Sequence, residues 1–485
     1  MKTATAFQMQ VSRKYLIRCL WLKTCLEVNI LMPLNKMRWR GIRAMLSSGF
    51  GICLLALVAG SAQAQTLLSQ TTWGGTGSDI AHGVAVAPDG SSYVVGLSDS
   101  FTNDIFGNPR PAISLVKFTP NGLLDWQKIW TGVTIRGGLR GPAVALSSID
   151  GSVYVSGQTL TPNNEFDAVL LKFNGVTGDL FWQRTWGGSA AEESNAVATD
   201  ASGSAYIAGT ITDNSAQTAS LFVVKFDSGG GLAWQKSWAG AAGLAVAVTP
   251  DGSVYAAGTR PRPGGIGESD LVALKMNAAT GALVWDRLYS AGNNVDPRGG
   301  MAAAPDGSIV MAGAIQAPKG GGIVDIAALV IKLDAAGNLV FDREWGGKSG
   351  ETAAGVTVAA DGSIYLAGAS DSFGVGGDAF VLRLQADGKA GDAVTWGGTG
   401  FDSGAGVGVA NGTVVLAATT TTAPPYSLIG APRKVSAVRG TVAPANGAFD
   451  DAAGVPADPG VAVVNSGGST AFSGNFEIAL VRFTP

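Results

Sequence analysis

From residue 65 onward the apolar positions fall in short runs, alternating with small or polar residues, and the runs come in a fixed order of four. The first is small and alternating, as in Gly83-Val84-Ala85-Val86-Ala87. A turn follows, such as Asp89-Gly90-Ser91, Asp251-Gly252-Ser253 or Asn411-Gly412-Thr413, and then a second run that ends at glycine, as in Tyr93-Val94-Val95-Gly96. A variable loop leads to the third run, Ser114-Leu115-Val116-Lys117-Phe118 or Val169-Leu170-Leu171-Lys172-Phe173, and a second tight turn to the fourth, which ends Trp126-Gln127-Lys128-Ile129-Trp130. Asp-Gly and Asn-Gly between strand-like runs predict hairpins, because glycine accepts the positive φ that the turn needs.

An aromatic residue followed closely by glycine recurs at Trp73, Trp130, Trp186, Trp238, Tyr289, Trp345 and Trp396, spaced 51 to 57 residues apart. Each interval holds the same four strand signals and no convincing helix. Four antiparallel strands per repeat read as a propeller blade, and one such sheet cannot bury both faces, so blades must stack. The expected fold class is all-β, a single β-propeller of seven or eight four-stranded antiparallel blades over residues 65–485. The ends suggest how the ring closes. Residues 479–485 match a third strand and turn, residues 65–75 match a fourth strand, and the N-terminal strand should therefore complete the last blade. The tail after Trp396 is nearly two repeats long, and residues 454–464 read as a degraded hairpin. That length favours eight blades, the seventh irregular, over seven blades with a long insertion at 419–475.

The pattern WGG…GVAVAPDGSxYVVG…LVKFTPNGxLxWQKxW resembles the bacterial secreted β-propeller repeat proteins usually described as seven-bladed, and it covers residues 65–485. The resemblance implies fold and an extracytoplasmic setting and says little about activity. Thr177-Gly178-Asp179-Leu180-Phe181-Trp182 and Thr280-Gly281-Ala282-Leu283-Val284-Trp285 also resemble the tryptophan-docking blades of quinoprotein dehydrogenases. Those enzymes place quinone and Ca²⁺ at the channel and commonly stack the quinone on adjacent cysteines. Here the motif marks two blades and residues 65–485 hold no cysteine, so it points to blade packing and not to a cofactor.

Composition agrees with a large core joined by glycine turns: 70 of 485 residues are glycine, yet 46% are hydrophobic. Residues 1–64 stand apart. Arg38, Arg40 and Arg43 precede an apolar run at 49–60, too short to span a bilayer comfortably, and Ala62-Gln63-Ala64 is a small-residue cleavage pattern. We read a secretory signal cut after Ala64, with Met37 the true start and residues 1–36 an upstream extension; the other reading is an uncut signal anchor. Cys19, Cys25 and Cys53 all lie in this leader, so the remainder has no disulfide, thiol nucleophile or thiolate ligand. Removing the leader leaves 24 basic against 35 acidic residues, which disfavours nucleic acid and anionic membrane surfaces as partners. The expected product is a monomer that is secreted, periplasmic or at the cell surface, with no membrane insertion once the signal is cut.

A ring needs only one copy of its chemistry, so residues repeated in every blade read as structural. The pairs Trp126/Trp130, Trp182/Trp186 and Trp234/Trp238 lie on one face of a strand and can fill the gap between neighbouring blades. A base recurs in the third strand (Lys117, Lys172, Lys225, Lys275, Lys332, Arg383, Arg482), which suggests inter-blade pairing ahead of a ring-shaped anion site. Acids follow several Gly-Gly turns. If Asp79, Glu192, Asp296, Glu351 and Asp402 converge at one channel mouth, with Glu193 nearby, they form a binding site that could take calcium, which needs about six to eight oxygen ligands. The alternative is that each caps its own loop. His82, the only histidine, sits beside Asp79 as a candidate acid/base pair, without a serine in a nucleophile-elbow context and without a phosphate-cradling glycine loop. No other cofactor is expected, and the metal ligands are not identifiable.

These readings favour a non-enzymatic scaffold that binds an extracellular or periplasmic protein or polysaccharide through the loops between second and third strands, at 98–111, 157–165, 260–268 and 314–322. The alternative is an enzyme acting at the central channel, either a metal-dependent lyase or hydrolase or a degenerate quinoprotein.

Overall fold

The computed structural model describes the backbone of residues 5–11 and 15–21, and residues 66–484 except 104–106, 133–140, 162–164, 266–267, 319–323, 375, 422–426, 432–434 and 446–475. The chain divides into two units, 1–64 and 65–485. In the first, Thr5–Val11 and Tyr15–Trp21 pair as an antiparallel hairpin. The expected signal and its cleavage site lie outside the described residues.

The second unit follows the four-run pattern. In blade 1 the strands are Asp79–Val86, Ser92–Ser98, Ala112–Phe118 and Leu124–Trp130, each hydrogen-bonded to the next. Both faces of the middle two strands are buried, because each blade packs against two neighbours. The Asp-Gly turns form as expected, with Gly90, Gly252 and Gly362 at φ of 92°, 82° and 81°. Innermost strands carry a one-residue bulge near their start, for example between Ala81 and Gly83, Ser194 and Ala196, and Gly404 and Gly406.

Among the described residues there are seven blades, closed by pairing Leu67–Trp73 with Glu477–Phe483, so the expected closure by the N-terminal strand holds. The preference for eight blades is corrected. Thr413–Thr420 pairs directly with Glu477–Phe483 from Val414↔Phe483 to Thr420↔Glu477, which leaves no place in the ring for another sheet. The stretch 454–464, read as a degraded hairpin, lies outside the described residues.

The inserted segment instead runs around the outside. Ser427–Gly430 pairs with the outermost strand of blade 6, Ala390–Gly397. Ser436 exchanges two backbone hydrogen bonds with Glu344 of blade 5, at 2.9 and 3.0 Å. Thr441–Ala443 then pairs with the outermost strand of blade 4, Leu283–Ser290. This strap adds a fifth strand to blades 4 and 6 and a single bridge to blade 5.

Recurring side chains join blade to blade. The last tryptophan of one outermost strand donates its indole N–H to a glutamine in the outermost strand of the next: Trp73 to Gln127, Trp130 to Gln183 at 3.2 Å, Trp186 to Gln235 at 2.7 Å, and across the closure Trp396 to Gln70 at 3.1 Å. The earlier tryptophan reaches a turn carbonyl of the next blade, as Trp126 does with Val176 at 2.9 Å and Trp234 with Ala278 at 2.9 Å. The recurrent base acts likewise. Lys172 bonds Asp150 of its own blade at 3.0 Å and the Ser228 carbonyl of the next at 3.2 Å, and lies 5.2 Å from the Tyr154 ring centroid. Lys225, Lys275, Lys332 and Arg482 likewise reach a carbonyl of the next blade, whereas Lys117 and Arg383 pair with Asp125 and Asp361 of their own blades.

Trp186 is almost fully buried, so Gln235→Leu strands its indole N–H without a partner. The expected cost is roughly 1–3 kcal/mol in denaturant unfolding, against a near-neutral effect for a substitution at an exposed side chain such as Leu123→Gln.

Candidate functional site

Four of the five candidate acids occupy one equivalent register position, the first residue of the innermost strand or, for Glu192, the second. Asp79 stands opposite Ser98, Glu192 opposite Ile211, Glu351 opposite Ser370 and Asp402 opposite Thr420. Each is buried and accepts the backbone N–H of the second glycine of its own Trp-Gly-Gly turn: Gly75 at 2.8 Å, Gly188 at 3.0 Å, Gly347 at 2.8 Å and Gly398 at 2.8 Å. The first glycine is needed because the carboxylate occupies its Cβ position. A Cβ at Gly74, Gly187 or Gly397 would lie 2.6, 2.7 or 2.6 Å from Asp79 Oδ2, Glu192 Oε2 or Asp402 Oδ2. The acids therefore cap separate loops and do not converge.

Asp296 departs from this set. It stands opposite Ala314, one residue further along its strand than the capping position, which Val295 fills. A one-residue slip turns the side chain to the other face, where Asp296 pairs with Arg298. Among the described residues no group of three His, Cys, Asp or Glu side chains is placed to hold a metal ion. One oxygen of each of Asp79, Glu192, Glu351 and Asp402 is held by an N–H of a different loop, so these carboxylates are not gathered around one ion.

His82 is the bulged residue of the first innermost strand. Its Nδ1 lies 3.1 Å from the Ile80 carbonyl and its ring packs against Gly141. Desolvation lowers its pKa to about 4, against a smaller opposing effect of the Ile80 hydrogen bond, so the ring is neutral and weakly basic near pH 7. Asp79 meanwhile bonds Gly75 and the Ser100 hydroxyl, at 2.8 and 2.7 Å. The two side chains of the expected acid/base pair thus have different partners.

Glu192 is the perturbed acid. Burial, opposed in part by the Gly188 N–H and reinforced by Asp167 and Glu165, raises its carboxyl to about 7. Asp167 approaches from the neighbouring blade, and both carboxylates crowd the space that a Cβ on Gly187 would take. Burial also raises Glu193, the adjoining residue.

Sequence reasoning overlooked an aromatic feature on this face. Asp99-Ser100-Phe101 in blade 1 and Asp371-Ser372-Phe373 in blade 6 are the same short motif after the second strand. Its serine accepts a turn N–H, Gly77 in one blade at 2.9 Å and Ser349 in the other at 2.8 Å. Its phenylalanine lies on the strand-ending tryptophan, Phe101 at 5.3 Å from Trp73 and Phe373 at 5.2 Å from Trp345. Phe401, in the turn entering blade 7, faces the Gly377 backbone. Phe101 is 42% exposed and Phe401 46%, so blade 1 and the turn into blade 7 present aromatic surface, whereas Phe373 of blade 6 is half-buried. The repeated Ser-Asp-Ser-Phe at 98–101 and 370–373 was the available signal.

No family model matches the chain, and no curated protein matches it. Solved structures do. The β-propeller domain of the Trilobed protease from Pyrococcus furiosus is 9% identical, with 75% of this chain and 97% of that one covered and a TM-score of 0.43. A protein of unknown function from Dyadobacter fermentans is 11% identical over 87% of this chain and 99% of its own, with a TM-score of 0.46. The polysaccharide lyase Uly1 is 12% identical over 88% and 95%, with a TM-score of 0.41. The likeness is one of architecture.

Glu192 also sets a pH dependence. Its folded pKa of about 7 lies above the value of an unfolded glutamate, so between the two the native state holds more protons and stability falls as pH rises. The wild-type protein should lose roughly 2–3 kcal/mol between pH 5 and 8 through this group, and Glu192→Gln should flatten that part of the profile in unfolding experiments across the range.

Proposed function

We propose that residues 65–485 form a non-enzymatic binding scaffold that works outside the cytoplasm and takes an extracellular or periplasmic protein or polysaccharide. The observation that carries this reading is the contrast between consumed and free chemistry. The recurring acids, bases, tyrosines and tryptophans hold loops or neighbouring blades, whereas Phe101 and Phe401 are left to solvent on one face. Half-exposed aromatic rings on a rigid frame suit the apolar faces of sugar rings and the apolar side chains of a protein. The leader supports export, and the repeat pattern supports kinship with secreted bacterial propeller proteins.

The loops between second and third strands, at 98–111, 157–165, 260–268 and 314–322, are the proposed recognition segments. An enzyme acting at the channel, a metal-dependent lyase or hydrolase or a degenerate quinoprotein, is the rival; if His82 served it, that residue would act as a weak base whose neighbour Asp79 bonds Gly75 and Ser100 instead.

The test is binding of the purified protein to a panel of extracellular polysaccharides and secreted proteins. Phe101→Ala combined with Phe401→Ala should weaken the retained ligand by about tenfold or more, while His82→Ala leaves binding unchanged. Turnover of any panel member that survives purification and disappears in His82→Ala would overturn the scaffold reading.

A further inference from the structure

The strap covers blades 4, 5 and 6, and one register position separates those blades from the rest. Three residues before the strand-ending aromatic, blades 7, 1, 2 and 3 carry Gln70, Gln127, Gln183 and Gln235, whereas blades 4, 5 and 6 carry Asp286, Asp342 and Ala393. All four glutamines accept an indole N–H from the preceding blade. Both aspartates receive backbone N–H groups from the strap, and among the described residues no added strand pairs with a glutamine-bearing blade.

Asp342 shows what the exchange accomplishes. It is buried, and Oδ2 accepts the Tyr289 hydroxyl of blade 4 at 3.0 Å, in the role that glutamine plays elsewhere. The same carboxylate receives three successive strap amides: Val438 and Arg439 on Oδ1 at 3.2 and 3.1 Å, and Gly440 on Oδ2 at 2.6 Å. Arg439 has a φ of 62°, and consecutive N–H groups turned inward in this way make an anion-binding nest. Gly440 packs against the Tyr289 ring where a Cβ would collide with Cζ. Asp286 extends the anchorage, taking the Ala445 N–H at 3.3 Å, while Arg260 donates to the Ala445 carbonyl at 3.3 Å.

An ionised carboxylate is acceptor-only, so it can serve the inter-blade donor and the strap amides together. A glutamine offers one acceptor oxygen, already engaged, and its NH₂ would meet the strap's N–H groups donor to donor. We propose that the outer wall of blades 4 to 6 is a dedicated docking surface for the chain's own residues 427–431 and 435–445, that the Asp342 carboxylate is its specificity-determining contact, and that glutamine at this position makes an outer edge refuse the same segment.

The experiment is hydrogen exchange with mass spectrometry on the full chain and two variants that attack opposite sides of the contact. Asp342→Gln keeps an acceptor for Tyr289 but removes the carboxylate, and Gly440→Ala leaves the carboxylate and blocks the seat on Tyr289. In the wild type, amides 436–443 should be protected. In each variant they should exchange about tenfold faster or more, while 205–226 in blade 3 keeps its protection. Strap amides that exchange freely in the wild type, or that stay equally protected in both variants, would overturn the proposal. So would a loss of protection spread evenly around the ring.

Discussion

Blades arranged about an axis are crowded at the centre and splayed at the rim, and the rest of this structure answers that geometry. Near the centre some positions have no room for a side chain. A Cβ on Gly355 would lie 2.7 Å from Gly406 Cα, and one on Gly406 would lie 2.9 Å from Val84 N. At the rim the wedge must be filled, and Trp186, Trp238, Trp345 and Trp396 are buried there. An indole supplies bulk but carries a donor that cannot be left alone in the interior, so each filled wedge calls for an acceptor on the next blade. Packing and hydrogen bonding are thereby set by one choice of residue.

The same crowding explains the buried acids. The chain crosses from the rim of one blade to the centre of the next through Trp-Gly-Gly, and the turn's N–H groups have no strand to pair with. A carboxylate from the following strand satisfies them at the cost of its own desolvation. That cost is greatest where Glu192 meets Asp167 across a blade boundary, and the Glu192 proton affinity rises accordingly. A strongly perturbed acid often marks a catalytic site. Here burial of a loop-capping carboxylate is the leading cause, and the capping N–H itself opposes the rise.

Much of the frame was readable in the residues. The Asp-Gly turns, the alternation of the runs and the match between 479–485 and a truncated repeat define strands, blades and closure, because each depends on local backbone needs that recur. The inter-blade duty of Trp130, Trp186 and Lys172 followed from the same recurrence. Blade number did not follow, since length alone cannot tell a degraded blade from a segment laid over other blades. The strap pairs through backbone atoms, and such pairing leaves little trace in composition. Its trace was indirect: the Gln183 and Gln235 position becomes Asp286 and Asp342 where the strap docks. The alignment of acids by their distance from Gly-Gly grouped Asp296 with Asp79, although strand register separates them. Phe101 and Phe373 went unremarked because their motif occurs in two blades and not in all.

Pairing Trp73 with Ile478 joins positions from opposite ends of the unit. The other six blades each take their four ring strands from neighbouring residues, so the seventh is the one whose completion spans the whole unit. Ordered blades in between lower the entropy that such a distant closure would demand of a flexible chain. Without Leu67–Trp73 the outer side of Glu477–Phe483 would be an open edge, and an unpaired strand edge is what recruits another molecule into a swapped or aggregated ring.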